Sequence, residues 1–111
     1  MESLWTLINR AKNNWHIYFG EKSLKLLRIF LNGAIQYCSR KVGTDLEILP
    51  GFELYLKRVF NEREENNIYD IIAKHSPNDR EAFDCFYEMM YAFLEEQRET
   101  YKPIRKINNE V

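Results

Sequence analysis

Few side chains in this 111-residue chain have types and spacings that could do chemistry. The histidines and cysteines are His16, Cys38, His75 and Cys85, and none stands in a C-x-x-C or H-x-x-x-H pair. A zinc site would therefore have to be assembled by tertiary folding alone. The same separation gives a Cys–His nucleophile no local support, and there is no glycine-rich loop to cradle a phosphate. The carboxylates are better placed. Glu81, Asp84 and Glu88 stand at i, i+3 and i+7, so a helix would put them on one face, as general acid–base work or metal binding would need. Di-metal bundles, however, place their ligating Glu and His among core-facing residues of several helices. These three acids lie opposite an apolar arc. The expectation is a binding protein, with no catalytic residue, no metal and no cofactor.

The acids belong to Asn78–Glu96, the longest strongly periodic stretch of the chain. At about 100° per residue, Ala82, Phe83, Phe86, Met89, Met90, Phe93 and Leu94 share one broad face. Glu81, Asp84, Glu88 and Glu95 line the other, with Tyr91 between the last two and Tyr87 flanking the stripe. A solvated helix face is the simplest account of such a pattern. Two features sharpen it. Asp84 and Glu88 are like charges at i and i+4, which repel by a few tenths of a kcal/mol on an isolated helix. No lysine interrupts the run between Arg80 and Arg98, whereas a helix shaped only for solubility mixes signs. Tyrosine is favoured in interfaces because it offers area and a hydroxyl together. The stripe therefore suits a basic protein partner such as a nuclease, whose cleft is positive because its substrate is negative; complementary charge would also speed association. The segment Glu62-Arg63-Glu64-Glu65 is expected to extend the acidic surface.

The elements that must position this face read as helices. Leu4, Leu7, Ile8 and Ala11 recur at helical spacing in a first helix from Glu2 to Asn14, which ends where Asn13-Asn14 can adopt the left-handed conformation. The aromatic run WHIYFGEKS reads as an apolar loop packed on the bundle, with Gly20 marking a turn. Ser23 is a suitable N-cap for a second helix from Leu24 to Lys41 or Val42. Its apolar arc is Leu24, Leu27, Leu31, Ala34, Ile35 and Cys38, broadened by Leu26, Phe30 and Tyr37. Gly33 in its interior costs about 1 kcal/mol relative to Ala, which suggests close approach of another backbone or ring. Gly43–Pro50 reads as a connector and Phe52 to Asn61 as a third helix, with Phe52, Leu54, Tyr55, Leu56, Val59 and Phe60 as its apolar set. A short helix over Ile68–Ala73 follows a polar hinge. Ser76 as cap and Pro77 at the first helical position open the last helix.

The resulting expectation is an all-α, single-domain bundle of about five helices over residues 1–100, followed by a basic C-terminal tail, 101–111. The second and last helices form its central pair. A domain of this size buries roughly two-thirds of the surface its unfolded chain exposes. Seven Phe, seven Tyr and two Trp supply much of the packing area.

A net charge of −1 argues against a general nucleic-acid binder. The average hides an asymmetry, because Lys22, Lys25, Arg28, Arg40 and Lys41 lie in a stretch without acids. The alternative reading is thus a nucleic-acid-associated helical protein using the basic face of the second helix, although no aromatic platform accompanies those charges. The amphipathic N-terminus is neither a secretory leader nor a membrane span. Two isolated cysteines suit buried, reduced thiols in the cytoplasm.

The pattern Tyr18-Phe19-Gly20-Glu21-Lys22-Ser23-Leu24, followed by Leu27, Phe30, Leu31 and Gly33, resembles one found in small helical bacterial immunity proteins. These belong to polymorphic toxin systems, of which contact-dependent growth inhibition is the best-known setting. Gly51-Phe52 with Tyr55-Leu56, the Ile-rich short helix, Ser76, Glu81-Ala82-Phe83, Phe86 and Phe93-Leu94 agree with it, so the likeness spans roughly residues 4–96. It implies a cytoplasmic protein that binds and neutralises a cognate toxin, commonly a nuclease, with no direct contact to nucleic acid or membrane. The matched positions are core and turn residues, so the resemblance carries over no binding residue.

Overall fold

The computed structural model describes residues 4–41, 48–62 and 66–110, with side chains over 4–36, 48–62 and 66–97. Ser3, Glu64, Glu65 and the side chains of Tyr37, Cys38, Arg40 and Lys41 lie outside the described residues. The described chain is all-α, in six helices: α1 (Leu4–Asn13), α2 (Trp15–Tyr18), α3 (Leu24–Lys41), α4 (Ile48–Val59), α5 (Ile68–Lys74) and α6 (Asp79–Glu110).

α3 and α6 form the most extensive pair, with α1 laid on α3 and α4 on α6, as the breadth of their apolar arcs implies. α5 closes the bundle against α3, α4 and α6. The core follows the helical periods: Leu4, Ile8 and Ala11 from α1, Leu24, Leu27 and Leu31 from α3, Leu49, Phe52 and Leu56 from α4, and Ala82, Phe83, Phe86, Met90 and Phe93 from α6 are buried. Phe52 packs edge-on to Phe86 at 5.5 Å and tilted on Phe93 at 5.8 Å, joining α4 to α6. Leu54 and Val59, expected in the apolar set of α4, are instead 69% and 45% exposed.

Several boundaries differ from the sequence reading. α1 stops at Asn13, but Asn14 is not left-handed (φ −124°). Its backbone and side-chain amides both donate to the Arg10 carbonyl, at 2.9 and 3.0 Å, which satisfies one of the helix's last acceptors. The aromatic run is not wholly loop, because Trp15–Tyr18 makes a helical turn that buries none of its residues. Gly20 then turns the chain at φ +77°, as expected. α4 begins at Ile48 rather than near Phe52. Pro50 is tolerated there because a first-turn N–H has no partner within the helix. The close approach expected at Gly33 is found at Gly51: a Cβ there would stand 3.1 Å from Phe93 Cζ, while a Cβ at Gly33 would meet nothing within 4 Å among the described residues.

α4 ends on Asn61 at φ 54°, with Glu62 N–H bonded to the Lys57 carbonyl at 2.8 Å and Asn61 N–H to Arg58 at 3.3 Å. This is the paired-bond C-terminal motif that needs a left-handed residue. Ser76-Pro77 does not cap α6. Asn78 does, its Oδ1 accepting from Glu81 N–H at 2.8 Å, while the Ser76 hydroxyl turns back to the Ile72 carbonyl. Nor does the last helix end near Thr100. It continues through Pro103 to Glu110, and at about 1.5 Å per residue its length of about 48 Å nearly matches the molecule's longest dimension, 51 Å.

Ser23 caps α3 as expected, accepting from Leu26 N–H at 3.2 Å. Asp79 reinforces it across the bundle. Its Oδ2 accepts the Ser23 hydroxyl at 2.5 Å and its Oδ1 accepts Lys25 N–H at 3.2 Å. One carboxylate thus serves the N-termini of two helices, where the dipoles favour negative charge.

Candidate functional site

A groove of about 460 Å³ runs between α6 and the wall formed by α1, α2 and the turn that follows. α6 contributes Glu81, Phe83, Asp84, Tyr87, Glu88 and Tyr91, and the opposite wall contributes Lys12, Trp15 and Lys22. The acidic stripe is therefore brought together along one side of a recess, as residues 81, 84 and 88 of one helix must be.

Its charges are not all free. Lys22 Nζ lies 3.1 Å from Asp84 Oδ1, with the two side chains 27% and 39% exposed, and 5.9 Å from the centre of the Trp15 ring. The sign mixing missing along α6 is thus partly supplied from 62 residues away. Glu81 and Glu88 are exposed at the groove, and neither makes an ion pair among the described residues. They flank the Asp84–Lys22 pair by one turn on either side.

The tyrosines separate into two roles. Tyr91 is 38% exposed. Its hydroxyl donates to Asn9 Oδ1 at 2.9 Å, the Trp5 ring meets it edge-on at 5.8 Å, and Lys12 Nζ lies 5.4 Å from its ring centre. It is a held, amphipathic wall of the groove. Tyr87, expected to flank the surface, is instead a core residue, 2% exposed. Its hydroxyl donates to the Ile8 carbonyl at 2.8 Å. Burial, with smaller contributions from Tyr91 and Tyr69, holds its ionisation well above the ordinary tyrosine range.

Glu95 is exposed on α6 but does not line the groove. Glu62 does not extend it either. Its side chain is 8% exposed and takes Lys74 Nζ at 3.2 Å, so it serves the α4–α5 junction. Glu64 and Glu65 lie outside the described residues. Lys12 and Trp15 escaped the sequence reading because tertiary folding alone brings them to α6. The clue available was the density of aromatics in WHIYF, too many for a plain connector.

The basic face of α3 is also reduced. Lys25 and Arg28 are exposed, but Lys22 is committed to Asp84, and the Arg28 guanidinium stands 5.3 Å from the Tyr69 ring centre. Cys85 is half-buried, and burial pushes its thiol above the usual range. Among the described residues no group of three or more His, Cys, Asp or Glu could hold a metal ion, and no helix is long and apolar enough to cross a membrane. No protein-family model, curated protein or solved structure matches this chain.

Proposed function

We propose that this protein is an immunity protein that binds a basic bacterial toxin, a nuclease domain, and neutralises it stoichiometrically in the cytoplasm. One observation carries the reading: Glu81 and Glu88 are two exposed carboxylates that make no ion pair among the described residues, on a groove whose lysines serve Asp84 and the aromatic rings. A positively charged partner supplies the missing charge, and acidic complementarity raises its association rate. The resemblance to immunity proteins supports the same reading mainly through turn and core residues.

The groove also dictates how to test it. Reversing Asp84 would set a cation against Lys22 and disturb the fold, so the informative variant is Glu81→Lys with Glu88→Lys. Its circular dichroism should match the parent, while protection of cells expressing the cognate toxin should be abolished. Unchanged protection by a folded double variant would remove the acidic-face reading.

A further inference from the structure

None of the four residues of the short helix α2 is fully buried, although Trp15 packs partly against the core. Its Ile17 and Tyr18 are 69% and 42% exposed, while its Trp15 forms part of the groove wall. Tyr18 is anchored by stacking on Phe30 of α3 at 5.6 Å, so the turn is held in place with an aliphatic side chain standing in water. Such an arrangement, apolar side chains beside a charged rim, is the anatomy of a protein-binding surface. Across the groove, Glu81 and Glu88 are separated by seven residues of α6, about 10.5 Å at the helical rise. Asp84, halfway between them, is already satisfied by Lys22.

We propose that α2 and the groove together form one docking surface, and that its occupant is a protein segment with two cations about 10 Å apart and apolar side chains beside them. Lysines or arginines at i and i+7 of a helix meet that spacing on one face. No third cation is called for between them, because Lys22 occupies that position. This deepens the toxin-binding reading and rests on it for the partner's identity, but it adds Ile17 and Tyr18 of α2, which that reading did not use.

The test uses the full chain and a 14-residue helical peptide with lysines seven positions apart and leucines beside them on the same face. Binding is followed by tryptophan fluorescence and by chemical-shift changes. The expected result is shifts centred on Trp15, Ile17 and Glu88. Ile17→Ser, and Glu81→Gln with Glu88→Gln, should each weaken affinity at least fivefold with helicity unchanged. A matching peptide with glutamates for lysines should bind at least tenfold more weakly. Lack of binding at millimolar peptide, equal affinity for the two peptides, or indifference to Ile17→Ser would overturn the proposal. So would sedimentation showing a dimer that Ile17→Ser dissolves, or Ile17-dependent partition onto phosphatidylglycerol vesicles in place of peptide binding. Toxin protection that fails while the peptide still binds removes the toxin reading and leaves the surface. Protection that survives Ile17→Ser removes the surface and leaves the reading.

Discussion

Two tyrosines whose hydroxyls are buried separate what that group does when paired from what it does when orphaned. Tyr87 bonds the Ile8 carbonyl, whereas the Tyr69 hydroxyl is buried without a hydrogen-bond partner among the described residues. Tyr87→Phe should therefore cost about 1 kcal/mol in urea unfolding, and Tyr69→Phe should be neutral or stabilising by a similar amount. Their pH dependence has one sign. Burial pushes the Tyr69 hydroxyl up to about 12, against the opposing pull of Arg28, while an unfolded tyrosine ionises near 10. Below pH 10 both states keep the proton and stability is intact. Between 10 and 12 the unfolded chain ionises first, so stability falls. The wild-type protein should lose unfolding free energy over that window, and Tyr69→Phe should lose less.

At the scale of the element, the two helical glycines make opposite predictions. Gly33→Ala meets nothing and should stabilise by up to about 1 kcal/mol, the helix-propensity difference. Gly51→Ala gains the same propensity but presses its Cβ on Phe93, a 6%-exposed ring packed on Phe52 and Tyr55. It should be neutral or destabilising in thermal melts. Asp79→Ala removes bonds to both Ser23 and the α3 N-terminus, and should cost about 1–2 kcal/mol by urea titration. The helical periods of α1, α3 and α6, the Ser23 cap and the α3–α6 pairing were legible in the sequence, because one broad apolar arc has few ways to be buried. The Ser76-Pro77 start was not, because Asn78 caps equally well and the chain alone does not say which residue will bond its N–H. Gly33 misled for a related reason: glycine is permissive whether or not anything approaches it. In the site, the acidic face was legible from spacing. Its lysines and Trp15 were not, since their approach is a tertiary event, and Tyr87 fell on the boundary between two faces that periodicity cannot resolve.

At the scale of the whole molecule, three of the four described ion pairs, Lys22–Asp84, Lys57–Glu53 and Arg58–Glu96, are at or near the surface, and Lys74–Glu62 has an exposed lysine. Raising salt from about 0.05 M to about 0.5 M should change unfolding free energy by less than about 1 kcal/mol. Association with a basic partner should slow markedly over the same range in stopped-flow measurements, because steering acts at a distance that salt screens. Stability and recognition thus draw on different charges. The bond from Tyr87 to Ile8 has a bearing on this division. Its acceptor is a main-chain carbonyl, a group that every amino acid carries. Substitution at the outward positions of α1 cannot delete it, so α1 keeps its seat on α6 while its surface drifts. A lineage could rewrite one lip of the groove without relearning how to fold.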